Sequence, residues 1–199
     1  MAPVGSYESL HAAIDAGADA VYFGVEGLNM RARSSVNFTL ADLHEIARVC
    51  AAAGVKSYLT VNTIMYDADI PVCHAVIDAA RDAGLSAIIA SDIAAILYAS
   101  SIGVEVHIST QANISNIEAV RFYAQWADVV VLARELSMDQ VAAISAAIRR
   151  DNITGPSGRP VRIEMFCHGA LCMAVSGKCY LSLHEMNSSA NRGACPQIC

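Results

Sequence analysis

The sequence contains little charge and no long apolar run, although it is rich in apolar residues overall. Of its 199 residues, 16% are charged and 55% are hydrophobic, so the chain can bury a large core. The apolar runs are short, and none is long enough to span a bilayer. The opening Met-Ala-Pro-Val-Gly lacks the basic flank and the apolar stretch of a signal peptide. We therefore expect a cytoplasmic protein that does not enter a membrane.

An excess of positive charge is also missing. The net charge of −6 gives the chain as a whole no electrostatic footprint for nucleic acid, although local basic residues can still bind phosphate. The seven cysteines, in a chain without an export signal, suggest free thiols, metal ligands or catalysis rather than disulfides. Cys50 and Cys73 lie alone in helical segments, whereas the other five crowd the last 33 residues.

One pattern recurs along the chain: an amphipathic stretch ends at glycine or a small polar residue, and a short β-branched run follows. The runs predict strands at residues 20–24, 57–62, 87–90, 104–108, 129–132 and 161–166. They are apolar at successive positions, as in parallel strands covered on both faces, and their alternation with helices implies right-handed βαβ units.

Two parallel architectures fit this alternation, an open doubly wound sheet and a (β/α) TIM-like barrel. The units are regular, and the glycine-rich dinucleotide fingerprint is missing after the first strand, which favours the barrel. A complete barrel needs eight strands, so a short strand before Pro3 and another beyond Cys199 would complete it. We expect one α/β barrel domain over residues 1–199, truncated at its C-terminal end.

Polar side chains follow most of the predicted strands, and in a parallel barrel such ends share one rim. They are Asn62, Asp92, Gln111, Asn113, Arg134 and Glu135. We assign substrate binding to Asn62, Gln111 and Asn113, with Arg31 and Arg33 supplying guanidinium groups that suit a carboxylate or phosphate. The competing interpretation is that the asparagines and Asp92 only cap helices or bind loop backbone, and that Arg134 and Glu135 form a local ion pair.

Glu164 within the last predicted strand and His168 just after it are the acid–base candidates, and with Arg134 and Glu135 they form the candidate catalytic set. A Cys167–His168 protease pair is disfavoured, because adjacent residues at a strand end point to opposite sides. The His-Glu-x-x-His motif of zinc proteases is absent from the sequence.

Four cysteines in the last 28 residues, Cys172, Cys179, Cys195 and Cys199, are candidate metal ligands. Six, fifteen and three residues separate them in turn. Four thiolates can enclose a zinc ion or an iron–sulfur cluster, and structural zinc sites usually pair ligands two to four residues apart. Because only the last pair does so, the spacing suits a cluster gathered from several loops; the alternative is buried or idle cysteines.

Residues 164–182 resemble the motif of peptidase family U32, the collagenase-like proteins. They match Glu-x-Phe-x-x-Gly-Ala-Leu-Cys, four residues, then Gly-x-Cys-x-Leu-Ser. Residues 2–5, 15–24, 111–113 and 133–137 resemble further blocks of the family. Some members of the family are peptidases, whereas others hydroxylate tRNA or ribosomal RNA bases or act in oxygen-independent hydroxylation during ubiquinone synthesis.

The resemblance implies a 4Fe-4S cluster on cysteines placed like Cys172, Cys179 and Cys195, with Cys199 or a downstream cysteine as the fourth ligand. Zinc would replace the cluster in protein purified in air. The Asn-x-Gly-x-Cys-x-x-x-Cys tail at residues 191–199 most resembles the prephenate-dependent tRNA uridine hydroxylases. The implied function is therefore hydroxylation of a base in tRNA or ribosomal RNA, with a small anionic co-substrate such as prephenate. A collagenase-like protease and a non-enzymatic redox-sensing barrel are the alternatives.

Overall fold

The fold is a curled sheet of seven parallel strands with helices on its outer face. The computed structural model describes residues 1–25, 27–30, 32, 38–169 and 172–199. The strands are β1 (Ala2–Pro3), β2 (Ala20–Gly24), β3 (Lys56–Val61), β4 (Ala87–Ala90), β5 (Val106–Ile108), β6 (Val129–Val131) and β7 (Arg162–Glu164). Their order in the sheet is their order in the sequence, and every neighbouring pair is parallel.

Helices connect successive strands, as the alternating pattern predicts. The connecting helices are α1 (Tyr7–Asp15), α2 (Leu43–Ala52), α3 (Ile70–Asp82), α4 (Ile93–Ser101), α5 (Ile117–Tyr123) and α6 (Met138–Arg150), and α7 (Leu181–Met186) follows β7. Gly54 and Gly84 adopt φ values of 69° and 75° just beyond α2 and α3, which explains why glycine marks the ends of these helices. No helix in the described ranges is long and apolar enough to cross a membrane.

The six predicted strands are confirmed, and the architecture is an incomplete TIM-like barrel. A seventh strand, β1, pairs with β2 at Ala2 and Pro3 and is too short to produce a sequence pattern. Strand β7 ends at Glu164 rather than residue 166, because Glu164 accepts the last ladder bond from the Leu132 amide. The two residues beyond it, Met165 and Phe166, have no strand to pair with and are exposed.

The sheet has two different faces, because side chains alternate along each strand. The outer face packs against the helices in the main core, to which Phe23, Leu59, Ile88, Ile108 and Val130 contribute. The inner face is a smaller cluster of Ala20, Tyr58, Ala87 and Ile89, with Tyr22 packed against it. The register aligns Tyr22 with Tyr58 and Tyr58 with Ala87, so these residues form a row across the barrel interior.

Candidate active-site rim

The carboxyl ends of neighbouring strands are joined by hydrogen bonds, which confirms that they share a rim. Asn62 follows β3, and its Nδ2 donates to Ser109 Oγ after β5 at 3.1 Å. Its Oδ1 accepts from the Met30 amide at 3.2 Å, and its carbonyl accepts from Ser91 Oγ at 2.9 Å. Both ends of the Asn62 amide are therefore engaged in bracing the rim, which favours the structural interpretation of this residue.

Three more rim residues shape the backbone. Asp92 caps α4 by accepting from the Ala94 amide at 2.9 Å, and it also accepts from the Met65 amide at 2.9 Å. Asn113 has a left-handed backbone (φ 53°) and ends the 3-10 turn that contains Gln111. The Gln111 carbonyl lies where a Cβ on residue 177 would meet it at 2.0 Å, so only glycine fits this approach of the C-terminal segment.

Arg134 and Glu135 meet at a third residue, Ser176, which is fully buried. The Ser176 amide donates to Glu135 Oε1 at 2.8 Å, and Arg134 Nε donates to Ser176 Oγ at 3.2 Å. Burial opposes ionisation of Glu135, but its hydrogen bonds outweigh that effect and lower its pKa. Thr110 Oγ1 also lies 3.5 Å from Ser176 Oγ. Two of the four predicted catalytic residues, Arg134 and Glu135, thus hold the cysteine-bearing segment on the rim.

A second attachment joins that segment to the loop after β3. The Asn191 side chain accepts from the Cys179 amide at 3.1 Å and donates to the Cys179 carbonyl at 3.0 Å. The Asn191 carbonyl accepts from the Ile64 amide at 3.0 Å. Arg192 Nη1 donates to Asp69 at 2.7 Å, and this hydrogen bond lowers the pKa of the Asp69 carboxyl group. We call residues 191–192, with these contacts, the latch.

The cysteines fall into two groups. Cys50 and Cys73 are buried in α2 and α3, and burial raises the pKa of Cys73 to about 11, so neither thiol is reactive. The predicted ligands are more accessible: Cys172 and Cys199 are exposed, and Cys179 and Cys195 are half-buried.

These four thiols suit an iron–sulfur cluster by their chemistry and accessibility. Within the described part of the chain, however, no three Cys, His, Asp or Glu side chains are gathered closely enough to hold a metal ion. The metal centre therefore stays a prediction.

The remaining predicted site residues lie apart from the latch. Glu164 ends β7, where burial raises its pKa, while the N-terminal amino group and Arg162 act in the opposite direction. His168 is exposed, four residues further along. Arg31 and Arg33, the predicted guanidinium clamp, lie outside the described residues.

A buried polar cluster on the inner face was missed by the sequence interpretation. His107 of β5 is 2% exposed, packs against Tyr58 with ring centroids 4.6 Å apart, and places Nε2 3.1 Å from Glu105 Oε1. Its Nδ1 is buried without a hydrogen-bond partner. Desolvation lowers the pKa of His107 despite the neighbouring Glu105. The alternation Val-Glu-Val-His-Ile-Ser at residues 104–109 was the available signal, because it places Glu105, His107 and Ser109 on one face.

A cavity on the rim was also missed. It has a volume of about 490 Å³ and lies between the loop after β2 and the segment that carries the latch. Its lining residues are Gly27, Ala32, Asn187, Ser188, Ser189, Arg192, Gly193 and Ala194. No sequence periodicity could reveal it, because its two walls lie more than 150 residues apart in the chain. A cavity at the rim favours an enzyme over a redox-sensing scaffold.

Comparison with known proteins agrees with the fold and the motifs. The model of peptidase family U32 matches residues 5–199. A protein of Porphyromonas gingivalis named collagenase is 74% identical over 199 residues, which are 100% of this chain and 48% of that protein. The tRNA hydroxylation protein P1 of Bacillus subtilis is 34% identical over 202 aligned residues, covering 100% of this chain and 45% of that protein.

Among solved structures, the U32 peptidase Mk0906 superposes with a TM-score of 0.61 at 16% identity, covering 73% of this chain and 63% of that one. At this identity the likeness shows the fold alone. The chain spans about half the length of the curated relatives that it matches.

Proposed function

The chain belongs to peptidase family U32, and from its rim geometry we propose that it forms part of an iron–sulfur enzyme that hydroxylates a base in tRNA or ribosomal RNA. The observation that carries the proposal is the attachment of the cysteine segment to the rim. Ser176 and the latch fix residues 176–192 over the strand ends, beside a cavity of about 490 Å³. A redox centre and a substrate cavity would then share one rim. A relative named as a tRNA hydroxylation protein, 34% identical along the whole chain, supports this choice.

Within this proposal, Cys172, Cys179, Cys195 and Cys199 or a downstream cysteine hold a 4Fe-4S cluster, which supplies electron transfer. The chain's own residues position it. Asn191 fixes the backbone of Cys179 through two hydrogen bonds. Arg134 and Glu135 act through Ser176 as positioning residues for the segment that carries Cys172 and Cys179. Arg31 and Arg33, which lie outside the described residues, would bind a small anionic co-substrate such as prephenate.

A peptidase is the second candidate, and the 74% identity to a protein named collagenase favours it. A serine or threonine peptidase needs an activated hydroxyl nucleophile and an oxyanion site. No serine or threonine hydroxyl in the described part of the chain is hydrogen-bonded to a histidine, and His107 bonds Glu105 instead. The rim geometry therefore supports the hydroxylase better, while the relative's name requires that proteolysis be measured directly.

The decisive experiment compares a strain lacking the full-length gene with its parent by mass spectrometry of digested RNA. We expect one hydroxylated base to disappear from tRNA or ribosomal RNA. The wild-type gene and a Cys73→Ala gene should restore the base, whereas Cys179→Ser should not. Unchanged hydroxylation in the deletion strain, together with cleavage of gelatin by the purified full-length protein, would support the peptidase instead.

The cluster is tested separately on protein purified without oxygen. We expect iron, acid-labile sulfide and visible absorption in the wild type and in the Cys73→Ala control, because Cys73 is buried in α3. Cys172→Ser should lose all three, since a serine hydroxyl is a poor ligand for this centre. Full iron content in the Cys172→Ser protein would remove Cys172 from the ligand set.

A further inference from the structure

The cavity on the rim has a volume typical of small-molecule sites. We propose that it receives a single base extruded from the RNA, an inference that rests on the proposed hydroxylase function. Its volume of about 490 Å³ lies within the range of about 300–1,000 Å³ that is usual for small-molecule sites. An enzyme that modifies a base must take that base out of its stack, so it needs a pocket of this kind.

The walls of the cavity are built from small residues. Gly27 and Ala32 lie on one side, and Gly193 and Ala194 lie on the other. The walls come together at Gly193, where a Cβ would lie 2.4 Å from the Asn29 carbonyl oxygen. Any larger residue at 193 would force the walls apart, so the narrow end of the cavity depends on this glycine. Short side chains on both walls leave space for a flat ring.

The charge of the described lining is neutralised, which argues for an uncharged ligand. Arg192 contributes a guanidinium group, but Asp69 holds it through contacts of 2.7 and 3.3 Å. The same guanidinium lies over the Tyr66 ring, with its central carbon 3.9 Å from the ring centroid. Because the charge is already paired, a phosphate or carboxylate would gain little from it. A nucleobase needs no net charge and can stack on a guanidinium plane.

Two polar side chains in the lining are available to form hydrogen bonds with a base. Neither the Ser189 hydroxyl group nor the side-chain amide of Asn187 is hydrogen-bonded to another described residue. Together they offer donors and acceptors of the kind that match the edge of a base. By contrast, the Ser188 hydroxyl is engaged, since it donates to the Ala194 carbonyl at 2.7 Å.

The cavity adjoins the predicted cluster. Ala194 lines the cavity and directly precedes Cys195, and Arg192 follows Asn191, which holds Cys179. A base bound here would lie beside two of the proposed cluster ligands. The placement therefore links substrate recognition and redox chemistry through the same short segment of the chain.

The test uses the full-length protein and two variants that fill the cavity, Ala32→Leu and Ala194→Leu. Ala142→Leu is the matched control, because Ala142 is exposed on α6. Binding of uridine and of cytidine is measured by saturation-transfer NMR, with inorganic phosphate as the competitor. We expect both filling variants to weaken nucleoside binding at least about tenfold and the control to leave it unchanged. Ser189→Ala should weaken binding a few-fold without filling the cavity, and phosphate should not compete.

Each result counts for or against the nucleobase site. The nucleobase site would be overturned if both filling variants bound nucleosides as tightly as the wild type and had melting temperatures like that of the control. Displacement of the nucleoside by phosphate would also overturn it. If a leucine variant fails to fold, Ser189→Ala supplies the same comparison. Complementation separates this site from the proposed function. If the deletion strain loses the hydroxylated base and the Ala32→Leu gene restores it fully, the nucleobase site is rejected but the hydroxylase function stands. If the deletion strain keeps the hydroxylated base, the hydroxylase function itself is rejected.

Discussion

At the scale of single residues, Ser176 shows how much can depend on one buried hydroxyl group. It sits between Arg134, Glu135 and Thr110, which follow two different strands, and it has no exposed surface. Arg134 and Glu135 look like catalytic residues in the sequence because they are charged and end a strand. In the structure their first task is to fix a chain segment about forty residues away.

The contribution of the Ser176 contacts to stability can be measured by removing the hydroxyl group. Ser176→Ala should lower the free energy of unfolding by about 0.5–1.5 kcal/mol, because it removes the hydrogen bonds that the buried hydroxyl group makes with Arg134 and Glu135. Urea denaturation followed by circular dichroism measures the change. Ser115→Ala is the control, since Ser115 is exposed and should change stability by less than about 0.5 kcal/mol. Equal effects of the two substitutions would show that the Ser176 hydroxyl group contributes no more to stability than the hydroxyl group of an exposed serine.

His107 makes stability depend on pH. Its folded-state pKa lies below the ordinary 6.5, because burial disfavours the charged ring. The unfolded chain takes up a proton as the pH falls through 6.5, whereas the folded chain resists, so the stability present above 6.5 is lost toward lower pH. We expect His107→Gln to lessen this loss by up to about 1.4 kcal/mol per pH unit.

Comparing the wild type with His107→Gln isolates the contribution of His107 to the pH dependence of stability, because the neighbouring titratable groups are present in both proteins. Glu164, whose pKa is raised, acts in the opposite direction at lower pH and is common to the two. The glutamine side chain of the His107→Gln variant also keeps a donor for Glu105. Urea unfolding at a series of pH values between 5 and 7.5 gives the two slopes. Parallel curves for wild type and variant would mean that His107 is not held neutral.

At the scale of elements, the latch attaches a segment with little regular structure to a rigid sheet. Asn191→Ala removes both side-chain bonds to the Cys179 backbone. The Cys179 amide should then exchange its hydrogen about 5- to 30-fold faster, the factor expected from a loss of about 1–2 kcal/mol. Hydrogen–deuterium exchange resolved by mass spectrometry checks this on metal-free protein.

The matched control is Asn116→Ala, which removes the bond from the Ala119 amide at the start of α5. Its effect should stay in α5 and leave Cys179 protected. Unchanged exchange at Cys179 in Asn191→Ala, with the expected change at α5 in the control, would show that the latch does not hold the cysteine segment.

The sequence predicts elements well and their distant contacts poorly. Most of the predicted strands are runs of buried residues, such as Ala87–Ala90, whose pattern needs only local information, whereas β7 is exposed or half-buried. Strand β1 has two residues and α7 has six, too few for a period to appear. The bond from Asn62 to Ser109 and the latch join residues far apart in the chain, and nothing in local spacing encodes such pairs. The rim itself was predictable, because parallel strands place their carboxyl ends together.

At the scale of the whole molecule, the sheet curls like a barrel but has two open edges. Strand β1 pairs with β2 alone and β7 with β6 alone among the described strands. One further strand between β7 and β1 would complete the eight of a TIM barrel. The chain spans about half the length of the curated relatives that it matches, and those relatives are long enough to include such a strand.

The open edge of β7 predicts how residues 1–199 behave when they are produced alone. Arg162 and Glu164 direct their backbone bonds toward β6, so the Ile163 amide and carbonyl face outward. An unpaired edge of this kind recruits another chain, and we expect the isolated piece to self-associate. Ile163→Pro should reduce the associated fraction, because proline removes the outward donor without breaking a bond to β6. Ile163→Ala, which loses the side-chain packing but keeps the donor, should remain associated. Sedimentation velocity measures the fractions. A monomeric wild-type piece, or equal effects of proline and alanine, would show that this edge does not drive association.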